Sequence, residues 1–123
     1  MKTVLFVDDS GDICEVIETM CQSLPAVECV CVSSISAVQK RAAQVLRTSL
    51  AILDVNLGPG EPDGVEIYRW LKGKNYRGKI VFLSGHARTD PDVGEAATIS
   101  GVDFFQKPLP FDQIEALILG THQ

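Results

Sequence analysis

Reactive side chains stand where four apolar runs of the sequence end. These runs are followed by acids at Asp8, Asp9 and Asp54, by a hydroxyl at Ser84 and by an amine at Lys107. Short runs rich in Val, Ile, Leu and Phe are typical of buried strands. If the strands are parallel, their carboxyl ends meet at one edge of a sheet, which is where open α/β sheets bind ligands. The sequence therefore predicts that these side chains gather at one edge.

The acids Asp8, Asp9 and Asp54 would repel one another unless a cation lay among them. Oxygen ligands without His or Cys suit Mg²⁺ best. Because Mg²⁺ in proteins commonly binds phosphate oxygens as well as carboxylates, a phosphoryl partner is expected. Lys107 supplies a positive charge and Ser84 a hydroxyl donor for phosphoryl oxygens. One carboxylate can itself be the nucleophile, so these residue types predict phosphoryl transfer through an aspartyl phosphate.

Strands and helices alternate along the whole sequence. The predicted strands cover residues 3–7, 27–32, 50–54, 79–84 and 102–106. The predicted helices start after Ser10, after Ser34, at Val65, near Pro91 and at Asp112. Strict alternation favours parallel strands joined by right-handed crossovers. Because the strands are apolar almost throughout, we expect helices on both faces of a five-stranded parallel sheet, an α/β fold.

Apolar stripes run along the predicted helices. The stripe of the first comprises Ile13, Ile17, Met20, Cys21 and Leu24. The stripe of the second, which is predicted as one continuous helix, comprises Val38, Ala42, Val45 and Leu46. The stripe of the last comprises Ile114, Leu117 and Ile118. The spacing of Asp112 and Glu115 predicts a capping box at the start of this last helix.

Length and composition favour one domain over residues 1–123. The net charge of -5 and the scattered positions of the 11 basic residues argue against direct nucleic-acid binding. No stretch approaches the roughly 20 apolar residues of a membrane span, and no signal peptide is recognisable, so a cytoplasmic protein is expected. The helical and strand spacings of the cysteines predict small apolar residues that stay reduced, at Cys14, Cys21, Cys29 and Cys31.

Four short motifs end the predicted strands. They are Val7-Asp8-Asp9-Ser10, Leu53-Asp54, Leu83-Ser84-Gly85-His86-Ala87 and Phe104-Phe105-Gln106-Lys107-Pro108. Each motif is weak alone, but in this order, and each at a strand end, they are specific. Over essentially its whole length the chain closely resembles the receiver domain of two-component response regulators, of the single-domain chemotaxis kind. The resemblance implies a flavodoxin-like (βα)5 fold with strand order 2-1-3-4-5.

The resemblance also implies roles for the acids. Asp54 would accept a phosphoryl group from a phosphohistidine on a sensor histidine kinase or a histidine phosphotransfer protein. Asp9, Asp54 and the backbone carbonyl of Asn56 would bind Mg²⁺ directly, and Asp8 would help through water. Such a chain is expected to be a switch rather than a turnover enzyme. Its altered surface would regulate a downstream protein or an output domain.

Further roles follow from the same likeness. Ser84 and Phe104 match the switch pair of the family, in which the hydroxyl moves toward the phosphoryl group and the ring turns inward. Phe at 104 replaces the commoner Tyr, and the stretch 58–63 is about two residues longer than the usual loop. We further hypothesise that Asn56 and His86 flank the phosphoryl group and tune its lifetime, because they follow Asp54 and Ser84 by two residues.

Three alternatives remain open at this stage. A degenerate receiver would only bind partners. A small Mg²⁺-dependent phosphatase would also form an aspartyl phosphate, although such enzymes want a second acid where this chain has Asn56. A flavodoxin-like electron carrier would need a Ser/Thr/Gly-rich phosphate cradle after the first strand, which is missing. The sequence names neither the kinase nor the output partner, and it leaves open a phosphorylation-dependent dimer and a longer parent protein.

Overall fold

A computed structural model of the chain describes residues 2–8, 11–55, 64–84, 99, 101–106 and 110–120. Within these ranges the sheet has five strands, β1 Lys2–Val7, β2 Val27–Val32, β3 Leu50–Asp54, β4 Lys79–Ser84 and β5 Asp103–Gln106. All neighbouring pairs are parallel, and the order across the sheet is β2-β1-β3-β4-β5. The predicted fold class and strand order are confirmed.

The described helices are α1 Gly11–Ser23, α2 Ile35–Lys40, α3 Ala42–Val45, α4 Gly64–Gly73 and α5 Phe111–Leu119. They pack on both faces of the sheet. One apolar cluster joins the sheet to α2, α3 and α4, and a second joins it to α1 and α5. Side chains of β1 alternate between the two, since Leu5 belongs to the first cluster and Phe6 to the second. The helix predicted from Pro91 lies outside the described residues, as does the proposed Ser10 cap.

The continuous second helix was a wrong prediction. Arg41 separates α2 from α3 with backbone angles of φ -109 and ψ 28, outside the α-helical region. Neither Gly nor Pro explains this break, because Lys40, Arg41 and Ala42 are all good helix formers. Val38 and Val45 are nonetheless both fully buried on either side of it. Packing of the two short segments on the sheet therefore overrides local propensity here.

The start of α5 also differs from the prediction. Pro110 occupies the N-cap without any side-chain hydrogen bond, and its carbonyl accepts the N–H groups of Gln113 and Ile114. Asp112 lies inside the first turn, where its Oδ1 accepts the Gln113 N–H at 3.0 Å. The predicted capping box is therefore wrong, because the helix begins earlier than Asp112. Its apolar stripe is confirmed, since Ile114, Leu117 and Ile118 are all buried.

The cysteines are the largest departure from expectation. Cys14 on α1 and Cys31 on β2 form a disulfide across a Cα–Cα distance of 5.7 Å, while Cys21 and Cys29 are free thiols. The prediction that all four stay reduced is therefore wrong for one pair. Spacing along a single helix or strand indicates which face a residue occupies, but not which residue of another element it meets.

Candidate functional site

Asp8 and Asp54 end neighbouring strands at the same level of the sheet. The register pairs Val7 of β1 with Leu53 of β3, and each acid is the next residue along its strand. Adjacent strands lie about 4.8 Å apart, and residues in register share a face. Both acids are almost completely buried, with 1% of Asp8 and 4% of Asp54 exposed. The fold thus brings two of the predicted acids side by side at the carboxyl edge.

Backbone hydrogen bonds hold the chain around both acids. The Asp8 N–H donates to the Val32 carbonyl at 3.1 Å, and the Val55 N–H donates to the Leu83 carbonyl at 2.8 Å. Pairing between strands therefore continues at or past each acid. These bonds fix the backbone at each acid.

Gly64, the first residue of α4, packs directly against the backbone of Asp54. A Cβ atom at position 64 would lie 2.5 Å from the Asp54 carbonyl oxygen and 3.3 Å from the Val55 Cα. The Gly64 N–H donates to the Val55 carbonyl at 3.1 Å. Only glycine allows this close approach, so α4 braces the acid from outside the sheet. The helix predicted from Val65 thus begins one residue earlier, at this glycine.

Ser84 and Phe104 lie toward one face of the sheet on adjacent strands. Phe82 and Phe104 are register partners, and Ser84 follows Phe82 by two residues, which returns it to the same side. Ser84 is fully buried, whereas Phe104 is half-buried against the cluster that contains Phe82. Phe105 packs against the opposite cluster, as the two-residue period of a strand requires.

Four predicted site residues, Asp9, Asn56, His86 and Lys107, lie outside the described residues, and their roles stay predictions. Among the residues that the structure does describe, no group of three or more His, Cys, Asp or Glu side chains could hold a metal ion. The predicted magnesium site requires Asp9, so this result concerns only part of that site. Asp8 and Asp54 themselves offer buried carboxylate oxygens, which is the donor type that Mg²⁺ prefers.

A groove between α1 and α5 was missed by the sequence analysis. It has a volume of about 540 Å³ and is lined by Asp12, Glu15, Val16, Thr19, Met20 and Glu115. Ile13 was predicted to face inward, but 42% of it is exposed. Val16, which lines the groove, is 40% exposed. Helical periodicity alone could not separate the buried part of the stripe, Ile17 and Cys21, from its exposed beginning.

Within the described ranges, none of the helices combines the length and apolar character needed to cross a membrane.

Several solved structures superimpose on nearly the whole chain. A receiver domain of the CheY-like kind from Methanospirillum hungatei JF-1 superimposes with a TM-score of 0.79 at 17% identity, over 98% of this chain and 93% of that one. The beryllofluoride-activated NtrC4 receiver domain dimer gives 0.77 at 21% identity, over 98% and 95%. A response regulator from Burkholderia pseudomallei with a phosphorylated aspartic acid, a calcium ion and citrate gives 0.69 at 19%, over 96% and 66%.

At these identities the structural likeness shows the fold alone. No curated protein matches the chain. The family model described as the response regulator receiver domain matches residues 4–119, which is nearly the whole sequence. That match covers β1 from Val4 onward, the other four strands, both buried acids and α5. The chain therefore belongs to the response regulator receiver domain family.

Proposed function

We propose that this chain is a phosphorylation switch in which Asp54 accepts a phosphoryl group from a phosphohistidine. The observation that carries the proposal is the burial of Asp8 and Asp54 side by side at the carboxyl edge. Two carboxylates in register repel each other and lose hydration, so a bound cation would offset the cost. The Burkholderia pseudomallei relative holds a phosphorylated aspartic acid together with a calcium ion, which supports the same chemistry here.

The phosphoryl transfer would form one bond at phosphorus and break another. A carboxylate oxygen of Asp54 attacks the phosphorus atom as the bond from phosphorus to the histidine nitrogen breaks, and the released imidazole takes up a proton. Backbone pairing around Val55 and the close approach of Gly64 fix the backbone from which the attacking side chain extends. Because the donor is a protein histidine and one phosphoryl group stays on Asp54, the chain acts as an acceptor rather than a turnover enzyme.

Mg²⁺ would be held by Asp9, Asp54 and the Asn56 carbonyl, with Asp8 assisting, and would neutralise charge on the phosphoryl oxygens. Lys107 would pair with one phosphoryl oxygen and Ser84 would donate its hydroxyl to another. Asn56 and His86 would set how readily water removes the group.

The output would come from a change of surface. Ser84 and Phe104 lie toward one face on neighbouring strands, so movement of the buried hydroxyl toward a phosphoryl group opens space that the half-buried ring can fill. A partner that binds one ring position better than the other is then regulated by phosphate. The activated NtrC4 relative is a dimer, and a second copy of this chain is one such partner.

The deciding experiment is incubation with Mg²⁺ and acetyl phosphate, followed by intact-mass measurement. The wild type should take up a single phosphoryl group only when Mg²⁺ is present, and Asp54→Asn should take up none. Asp103→Asn is the matched control, because Asp103 is a half-exposed acid paired with Lys79 at the opposite edge, and it should behave as wild type.

Other outcomes of this experiment would reject the proposal. A well-folded wild type without phosphate uptake would favour a binding module. Steady hydrolysis of phosphate esters would favour a phosphatase. Uptake that persists in Asp54→Asn would assign the phosphate to another residue.

A further inference from the structure

All four cysteines lie where α1 packs on β2. They form two pairs between the helix and the strand, which we call rungs. One rung is the disulfide between Cys14 and Cys31. The other is the pair of free thiols Cys21 and Cys29, which are hydrogen-bonded to each other. Helix α1 runs antiparallel to β2, so the first cysteine of the helix meets the last cysteine of the strand. No step of the proposed phosphoryl transfer uses these side chains.

The two rungs are too far apart to hold one metal ion. Cys14 and Cys21 are seven residues apart on a helix, which corresponds to about 10 Å at 1.5 Å per residue. Cys29 and Cys31 are two residues apart on a strand, which corresponds to about 6.6 Å. Zinc–sulfur bonds are only about 2.3 Å long. In agreement, the described residues contain no cluster of three or more such ligands.

We infer that Cys14 and Cys31 form a reversible thiol–disulfide site, exchanging with small thiols and disulfides, whose redox state controls the position of Asp8. Both cysteines are half-buried and so remain within reach of a small reagent. The Cys14 sulfur lies 3.9 Å from the Asp8 carbonyl oxygen. The Asp8 N–H donates to the carbonyl of Val32, the residue after Cys31. Asp8 is thus held between the two segments that the disulfide ties together.

A small dithiol can reduce the Cys14–Cys31 bond, and a small disulfide can form it again. A thiolate of a small dithiol attacks one sulfur, opens the S–S bond and forms a mixed disulfide. The second thiol of the reagent then displaces the protein sulfur, so the reagent leaves as a disulfide and the protein gains two electrons and two protons. In the reverse direction a small disulfide, such as oxidised glutathione, takes the two electrons and leaves as two thiols.

The Cys21–Cys29 rung differs from the disulfide in the reactivity of its thiols. Cys21 is only 3% exposed, and burial raises the pKa of both the Cys21 and the Cys29 thiols. Because the thiolate is the species that attacks a disulfide, few of these thiols are reactive at neutral pH. The Cys21–Cys29 pair should therefore stay reduced under conditions that close the Cys14–Cys31 bond.

The coupling to Asp8 rests on the proposed function, whereas the disulfide site itself does not. When the bond is reduced, the first turn of α1 and the end of β2 are no longer tied together on either side of Asp8. Groups that orient a metal ligand typically change metal affinity 10- to 100-fold when they are lost. We expect Mg²⁺ affinity to be about 10-fold lower in the reduced protein than in the oxidised one.

The test equilibrates the full chain in oxidised or reduced glutathione, alkylates the free thiols after denaturation and counts them by mass. Two thiols should react in the oxidised protein and all four in the reduced protein. Mg²⁺ binding is measured by calorimetry on the same samples. Cys14→Ser should bind Mg²⁺ like the reduced wild type in both buffers, and Cys31→Ser provides a second variant should the first fail to fold. Cys21→Ala is the control and should keep the full redox response.

Four reactive thiols in the oxidised wild type would overturn the disulfide site. Equal Mg²⁺ affinities in the two buffers, or an unchanged redox response in Cys14→Ser, would overturn the coupling. Absence of Mg²⁺ binding in both redox forms would refute the proposed function and the coupling together, while the thiol count would still decide on the disulfide.

Discussion

The amino and carboxyl edges of the sheet both bury polar side chains, but of different kinds. At the amino edge, Thr48 lies 4% exposed before β3 and Tyr76 lies 6% exposed before β4, with their hydroxyl oxygens 2.9 Å apart. Thr48 donates its own proton to the Val45 carbonyl at 2.7 Å, so Tyr76 is the donor between the two hydroxyls. At the carboxyl edge the buried polar groups are the acids Asp8 and Asp54, with the hydroxyl of Ser84 on the next strand.

The difference separates a structural use of polar burial from a functional one. Neutral hydroxyls that bond each other cost little to bury and stabilise the fold. Carboxylates in register on adjacent strands carry a desolvation cost and like-charge repulsion that their surroundings must offset. In the described part of the chain, every buried side-chain nitrogen or oxygen has a hydrogen-bond partner. Burial of the acids therefore depends on the groups around them more strongly than burial of the neutral hydroxyl pair does.

Each edge also has a glycine without room for a side chain. A Cβ atom on Gly78 would meet the Tyr76 ring and hydroxyl, and one on Gly64 would meet the Asp54 backbone. The same steric restriction therefore applies beside a hydrogen-bonded pair at one edge and beside a buried acid at the other.

The largest expected effects come from removing one buried polar group at each edge. Asp8→Asn should lower Mg²⁺ affinity at least about 10-fold, since it removes one carboxylate from the site. It should not lower stability in Mg²⁺-free buffer, because it also removes repulsion. Thr48→Val should do the opposite, keeping Mg²⁺ affinity but losing about 1–3 kcal/mol of stability, because it leaves the buried Tyr76 hydroxyl without its acceptor. Calorimetry and urea unfolding measure the two quantities, and parallel behaviour of the two variants would remove the distinction.

The two glycines sharpen the comparison further. Gly64→Ala and Gly78→Ala should each lose about 1–3 kcal/mol in urea unfolding, as expected for overpacking. Only Gly64→Ala should also slow phosphate uptake, because its Cβ presses on the Asp54 carbonyl. Gly73→Ala, at the end of the same helix, meets nothing within 4 Å and serves as the control with unchanged uptake. Equal uptake by all three variants would show that α4 does not brace the acid.

A smaller loss is expected from Tyr76→Phe. The variant keeps the ring and leaves Thr48 donating to the Val45 carbonyl, so only one hydrogen bond disappears. Unfolding free energy should fall by about 1 kcal/mol, less than in Thr48→Val. A loss larger than in Thr48→Val would reverse the assignment of donor and acceptor.

The smallest effect concerns alkaline pH. Burial raises the pKa of Tyr76, and its hydrogen bond with Thr48 offsets part of that rise. The unfolded chain therefore releases the phenolic proton first, near the ordinary value of 10.0, while the folded chain keeps it. Stability is complete below this pH and decreases above it. Urea unfolding of Tyr76→Phe should show a shallower decrease than wild type above pH 10, and identical slopes would argue against the shift.

Much of the fold was accessible from local pattern. The strand Leu50–Asp54 was predicted with both of its ends correct, because an apolar run followed by an acid and glycines marks a buried strand and its stop. The opposite faces of Phe104 and Phe105 follow from the two-residue period of any strand. The interruption at Arg41 and the cap of α5 could not be predicted in the same way, since packing and the position of Pro110 outweigh helix signals there.

The sequence by itself determined which residues end the strands, and hence that Asp8, Asp54 and Ser84 stand at one edge. These properties depend on neighbours in the chain. Only the tertiary structure decided the register of Val7 with Leu53, the contact of Gly64 with Asp54 and the pairing of Cys14 with Cys31. Each of these joins different elements, and their relative positions arise from packing the whole core, which no local period encodes.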